Sequence, residues 1–258
     1  IFVRKLIILY GRLSDKFHAK QQLMIDGHCT CGYRPYAQKY GEIIYLAKQN
    51  CRESWERDFS SFDFSTEKLI EYLNTKPDVL IWALKQDSTR DREILSKINH
   101  KKVYYSCCAY DTINSFCDTS LVDIPKRING NARLWIKGKD PDYWYPVKNI
   151  KLCDYLLIGR RADKNELYFI DRLTKEVRPP RVVLWIGGAE HANRIGETHH
   201  KIITTEFKSM EQVRDLICTA RVGILLSEHP AEGFPQSFLE MTMCGLPVVY
   251  CDRAPYNP

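Results

Sequence analysis

Ser227-Glu228-His229-Pro230-Ala231-Glu232-Gly233-Phe234-Pro235-Gln236-Ser237-Phe238-Leu239-Glu240 holds the chemistry of this chain. An apolar run of strand length, residues 222–226, leads into it, and residues 237–244 behind it have helical spacing. The stretch therefore reads as strand, loop, helix. The loop turns at Gly233, whose missing Cβ lets backbone approach a ligand. Pro235 suits the first turn of the helix, where its absent N–H would have no intrahelical partner. Amides near Gln236, Ser237 and Phe238 then point out of a helix start, which favours anions through its dipole and unpaired donors. A phosphate-bearing ligand at the carboxyl end of a strand is the expectation. Glu232 in the loop and Glu240 on the first turns of the helix can face that ligand from two sides. Their carboxylates suit sugar or ribose hydroxyls, because an ionised carboxylate only accepts hydrogen bonds. Spacing alone leaves a second reading open, with Glu240 a surface helix residue and Glu232 a partner of the helix dipole.

Outward from this stretch, strand-like apolar runs alternate with amphipathic segments, as in a parallel α/β sheet. In the first half, strands are predicted at residues 5–10, 42–47, 79–82 and 102–107, with helices at 65–74 and 91–98. Residues 136–150 break the pattern with two prolines, a glycine and several aromatics, and read as an ordered linker. Alternation then resumes: strand 155–158, helix 165–173, strands 181–186 and 201–204, helix 210–220, strand 222–226, helix 237–244, strand 248–250. The plan is two Rossmann-like domains, residues 1–146 and 147–258.

Three stretches resemble one family in the same order along the chain. Glu232-Gly-Phe-Pro-Gln-Ser-Phe-Leu-Glu240-Met-Thr-Met-Cys-Gly245-Leu-Pro247-Val-Val is similar to the motif of two glutamates with seven residues between them in retaining GT-B glycosyltransferases of family 4 (glycosyl transferases group 1). Met241 and Met243 stand where that family usually has alanine. Lys137-Gly138-Lys139-Asp140-Pro-Asp-Tyr-Trp-Tyr-Pro146 is similar to the Asn-Gly-Val-Asp-x-x-x-Phe-x-Pro linker into the second domain. Ile158-Gly159-Arg160-Arg161-Ala162-Asp163-Lys164-Asn165 resembles the Gly-Arg…Lys loop after that domain's first strand.

The resemblance implies a GT-B fold of two Rossmann-like domains facing a cleft, with the second shortened at its C-terminus. It implies a retaining hexosyltransferase that moves a sugar from a UDP- or GDP-sugar to a glycan or lipid-linked acceptor. Glu232 would contact the transferred sugar and Glu240 the ribose. Gly233, Phe234, Pro235, Gln236 and Ser237 would cradle phosphate and sugar. Lys164 with either Arg160 or Arg161 would clamp the diphosphate, since a bidentate guanidinium and a point charge suit a leaving group that gains negative charge. Phe207 falls where the family borders the nucleobase; a buried core phenylalanine is the other, favoured reading of that position. No metal and no cofactor are expected, as the Arg and Lys carry the charge and no Asp-x-Asp motif is present. A first-domain glycine-rich loop and donor-reaching histidine have no clear counterparts: Gly11 stands alone, and neither His18 nor His100 fits. A catalytically inactive nucleotide-sugar or glycan-binding module is the alternative.

Composition narrows the class. The chain has 258 residues, 44% of them hydrophobic, with mean hydropathy −0.37. Its apolar runs are strand-sized, far below the roughly 20 residues of a spanning helix. Ten scattered cysteines fit reduced thiols and a cytoplasmic setting. His28-Cys29-Thr30-Cys31 lacks the second pair a zinc site needs. Residues 1–150 carry 24 Lys+Arg against 18 Asp+Glu, whereas residues 151–258 carry 14 of each. The excess charge of the first half suits a solvated surface or an acidic partner, including peripheral contact with anionic lipid. Nucleic acid is not expected, because no basic-aromatic binding motif is present.

Overall fold

Parallel neighbours in a sheet need long crossovers, usually helical, and the computed structural model is built of such units. It describes residues 5–9, 43–47, 59–61, 66–75, 79–84, 95–106, 117–122, 128, 130–134, 138–159, 165–206, 209–227 and 235–251. The chain divides into two compact units, Ile1–Lys137 and Gly138–Pro258. No described helix is long and apolar enough to cross a membrane.

The first unit holds a seven-stranded sheet in the order β3-β2-β1-β4-β5-β6-β7. Its strands are β1 (Lys5–Leu9), β2 (Ile43–Ala47), β3 (Phe59–Ser61), β4 (Val79–Leu84), β5 (Lys101–Ser106), β6 (Thr119–Val122) and β7 (Ala132–Leu134). All six pairings are parallel. Helix α1 (Thr66–Asn74) leads into β4, and its Leu73, like Ile81 of β4, is fully buried. Strands β3, β6 and β7 are additions to the predicted set. At three or four residues each they are too short to show a period. Of the helix predicted at 91–98, the described part is a short turn in which Ile98 N donates to Leu95 O.

The second unit is a five-stranded, all-parallel sheet in the order β10-β9-β8-β11-β12. The strands are β8 (Cys153–Ile158), β9 (Val182–Ile186), β10 (Lys201–Thr205), β11 (Ala220–Leu225) and β12 (Val248–Tyr250). Helices α2 (Glu166–Glu176), α3 (Met210–Cys218) and α4 (Gln236–Met243) cross over between them. Both sheet faces are buried, which explains near-continuous apolar strands. Leu156, Leu184, Ile186 and Leu225 pack on one side with Val213 and Ile217 of α3 and Met241 of α4. Leu157, Val183, Trp185 and Ile224 pack on the other with Ile170 and Leu173 of α2. Ser209 opens α3 with a capping box: its side chain accepts from Gln212 N, and the Gln212 side chain accepts from Ser209 N.

Residues 138–147 belong to this second unit. Trp144 is 1% exposed inside its core, and Tyr143 and Val147 pack against the same cluster. The segment is a strap laid across α3 and α4.

Candidate functional site

The second unit's strand order has one switch point. From β8 the chain runs to β9 and β10 on one side, then returns to β11 and β12 on the other. In open α/β sheets the crossovers separate at such a point, and ligands bind beyond the carboxyl ends of the two central strands. Those strands are β8 and β11, paired with Leu157 opposite Ile224. Beyond β8 the chain passes Gly159 into residues 160–164. Beyond β11 it passes Leu226 and Ser227 into residues 228–234. Both segments singled out in the sequence thus leave neighbouring strands at one edge.

Arg160, Arg161, Lys164, Glu232, Gly233, Phe234 and Phe207 lie outside the described residues, as do His28, Cys29 and Cys31. What is described is how the segments are anchored. Gly159 N donates to Ile186 O at 3.0 Å, and Trp185 Nε1 donates to Gly159 O at 3.0 Å. Asn165 sits at φ 69°, a left-handed conformation that asparagine tolerates better than most residues. From there its Nδ2 donates to Leu226 O at 2.9 Å. The far end of the first segment is therefore tied to the near end of the second. Ser227, at the root of the second, is 1% exposed.

Helix α4 begins one residue before the predicted start. Pro235 is its N-cap, with φ −72° and ψ 128°, rather than part of its first turn. A proline offers no capping side chain, so the first-turn amides lack that usual partner. Pro235 is buried, and Gln236 and Ser237 are half-buried. The other end closes by a Schellman motif: Gly245 N donates to Thr242 O and Leu246 N to Met241 O. Gly245 has φ 74°, and a Cβ there would sit 3.3 Å from Pro146 Cγ, so glycine serves both the turn and the strap's close approach.

Glu240 is not a surface residue. It is 7% exposed, and its Oε1 lies 2.5 Å from Nζ of Lys139 on the strap. The lysine side chain is fully buried, with Nζ 5.1 Å from the Trp144 ring centroid. Among the described residues, Lys139 is a candidate site residue that sequence reasoning missed. The signal was a lysine where the resembled linker carries valine. The strap that delivers it is folded by Asp140, whose carbonyl accepts from Tyr143 N and Trp144 N and whose Oδ1 accepts from Asp142 N. Two further contacts hold it to α3: Arg214 Nη1 donates to Tyr143 O, and Val147 N donates to Cys218 Sγ.

At the C-cap of α4, burial pushes the Cys244 thiol up to about 12, with a smaller push from neighbouring Cys218. Met241, fully buried, lies over Gly223 of β11; a methyl at Gly223 would overlap its sulfur. Among the described residues, no three His, Cys, Asp or Glu side chains gather as a metal site. The arrangement offers a buried carboxylate held by a lysine, a helix start whose N-cap residue supplies no side-chain bond, and two loop roots tied at a switch point. Chemically, that suits a polar ligand carrying hydroxyls and negative charge.

Comparison with known proteins bears on the fold and on the second unit. Residues 153–257 match the family described as Glycosyl transferases group 1. No curated protein matches the chain by sequence. Among solved structures, Anabaena HepE in complex with UDP and glucose is similar with a TM-score of 0.66 at 12% identity, covering 98% of this chain and 82% of its own. An alpha-glucosyltransferase in complex with UDP and a mismatched 13-mer DNA gives 0.61 at 12% identity, covering 96% and 79%. Sucrose-phosphate synthase from Thermosynechococcus elongatus also gives 0.61 at 12% identity, covering 96% and 81%. The parallel α/β fold thus matches GT-B glycosyltransferases, and the second unit matches the group 1 glycosyl transferase family.

Proposed function

We propose that this protein is a glycosyltransferase that takes a UDP- or GDP-sugar as donor and transfers the sugar to a glycan or lipid-linked acceptor with retention of configuration. One observation carries the reading: the segments containing Arg160–Lys164 and Glu232 leave the carboxyl ends of adjacent strands at a switch point, beside the helix that bears buried Glu240. The family match over residues 153–257 and UDP in the similar structures support it.

In this reading, Arg160 or Arg161 with Lys164 and the start of α4 hold the diphosphate. They stabilise the charge that gathers on it as the glycosidic bond breaks. Gly233, Phe234, Pro235, Gln236 and Ser237 line the sugar and phosphate, Glu232 contacts the transferred sugar, and Glu240 accepts from the ribose. Phe207 borders the base. Retention follows from attack on the face the diphosphate leaves, with the departing phosphate taking the acceptor proton. The first unit takes the acceptor, and its excess of basic residues suits an anionic lipid carrier.

The test is turnover of UDP- and GDP-sugars, with and without glycan and lipid-linked acceptors, on the full chain. Replacing both Arg160 and Arg161 by alanine should abolish transfer. Glu240→Ala should weaken nucleotide binding. Unchanged transfer in these variants would remove the reading. Donor binding with no turnover against any acceptor would point instead to an inactive binding module.

A further inference from the structure

The buried lysine beside Glu240 has a consequence for how a donor is read. Lys139 Nζ holds Glu240 Oε1 at 2.5 Å, and the exposures of the two side chains are 0% and 10%. Stability alone is a weak reason for such a pair, since apolar side chains of similar size often serve a core as well. The lysine lies against a buried aromatic ring: Trp144 is 1% exposed, and Lys139 Nζ is 5.1 Å from its centroid. What the pair does fix is direction. The Glu240 carboxylate is pinned at one oxygen by a lysine that is itself locked by the strap, while Oε2 has no hydrogen-bond partner among the described residues.

We propose that Lys139 is a positioning residue for the donor: it occupies Oε1, so that Glu240 presents Oε2 to one ribose hydroxyl rather than both oxygens to the diol. This rests on the reading of Glu240 as the ribose contact. Lys139 touches no part of the donor and acts only through Glu240. A ribose hydroxyl donates, an ionised carboxylate accepts, and a hydrogen bond to a charged group carries about a tenfold or larger effect on affinity.

The experiment is calorimetric titration of the full chain with UDP, 2′-deoxy-UDP and 3′-deoxy-UDP, with the GDP set in parallel. Wild type should lose about tenfold in affinity for one deoxy form and keep the other within about twofold. Lys139→Met should weaken UDP about tenfold while binding the discriminated deoxy form no worse than wild type does. A purely structural role would weaken all three ligands equally, and that result overturns the proposal. So does equal loss for both deoxy forms in wild type. Should Lys139→Met fail to fold, Lys139→Met/Glu240→Gln leaves no buried charge unpaired. That variant should bind UDP only as well as wild type binds the discriminated deoxy form, and full UDP affinity overturns the proposal. Failure of wild type to bind UDP or GDP at all is a different outcome, which removes the donor reading itself.

Discussion

Asn165 Nδ2 donates to Leu226 O at 2.9 Å, fastening the start of α2 to the end of β11 across the switch point. Asn165 makes that bond from φ 69°, so the left-handed conformation and the contact occur in one residue. Asn165→Ala loses the bond and keeps a strained left-handed residue, a loss of about 1–3 kcal/mol in stability. Asn165→Gly relieves the strain and loses only the bond, so it should be the milder change by urea unfolding. Both should weaken nucleotide binding. Equal stability of the alanine variant and wild type would show that this tie contributes nothing.

Gly223 and Met241 are a matched pair, one giving the space the other fills. Met241→Ala opens a cavity in a fully buried position and should cost about 2–5 kcal/mol. Gly223→Ala alone should also destabilise, because the added methyl overlaps the Met241 sulfur. In the double variant each change removes the other's fault, so its loss should be smaller than the two single losses combined. Additive losses in thermal unfolding would contradict the pairing.

Two buried thiols set an alkaline limit. Burial pushes Cys117 and Cys244 each up to about 12 from an ordinary 9.0. In the unfolded chain they lose their protons near 9.0, while the folded chain keeps them. Stability is therefore fully present below that pH and is lost as pH rises toward the folded values. Thermal unfolding midpoints should fall from pH 9 upward, and Cys117→Ala with Cys244→Ala should flatten that fall. At pH 8, alkylation resolved by mass spectrometry should reach half-buried Cys251 before Cys117, Cys153, Cys218 or Cys244. Labelling of Cys244 as fast as Cys251 would contradict its burial.

Much of the second unit was legible because buried parallel strands write themselves as apolar runs. Residues 182–186 and 220–225 could be little else, and Pro235 and Gly245 bracket α4 within two residues of its ends. The strap was legible only as texture. Its prolines and aromatics read as a tether between domains, whereas Trp144 drives it into the core of the second unit. Nothing local distinguishes a tryptophan that anchors a loop from one that decorates it. Glu240 likewise kept two readings, because spacing on a helix says which face a residue shares but not what covers that face. Its cover comes from Lys139, 101 positions away in sequence. Strands β6 and β7 escaped because their length is below one useful period and their pairing is decided by neighbours in the sheet.

The central claim is that a nucleoside diphosphate sits at the switch-point edge of the second unit. Hydrogen exchange of the full chain with and without saturating UDP or GDP tests it most directly. Protection should rise in residues 159–166 and 227–240, while the far face of α2 and residues 189–197 stay unchanged. Protection confined to residues outside those two segments, or none despite measured binding, would contradict it.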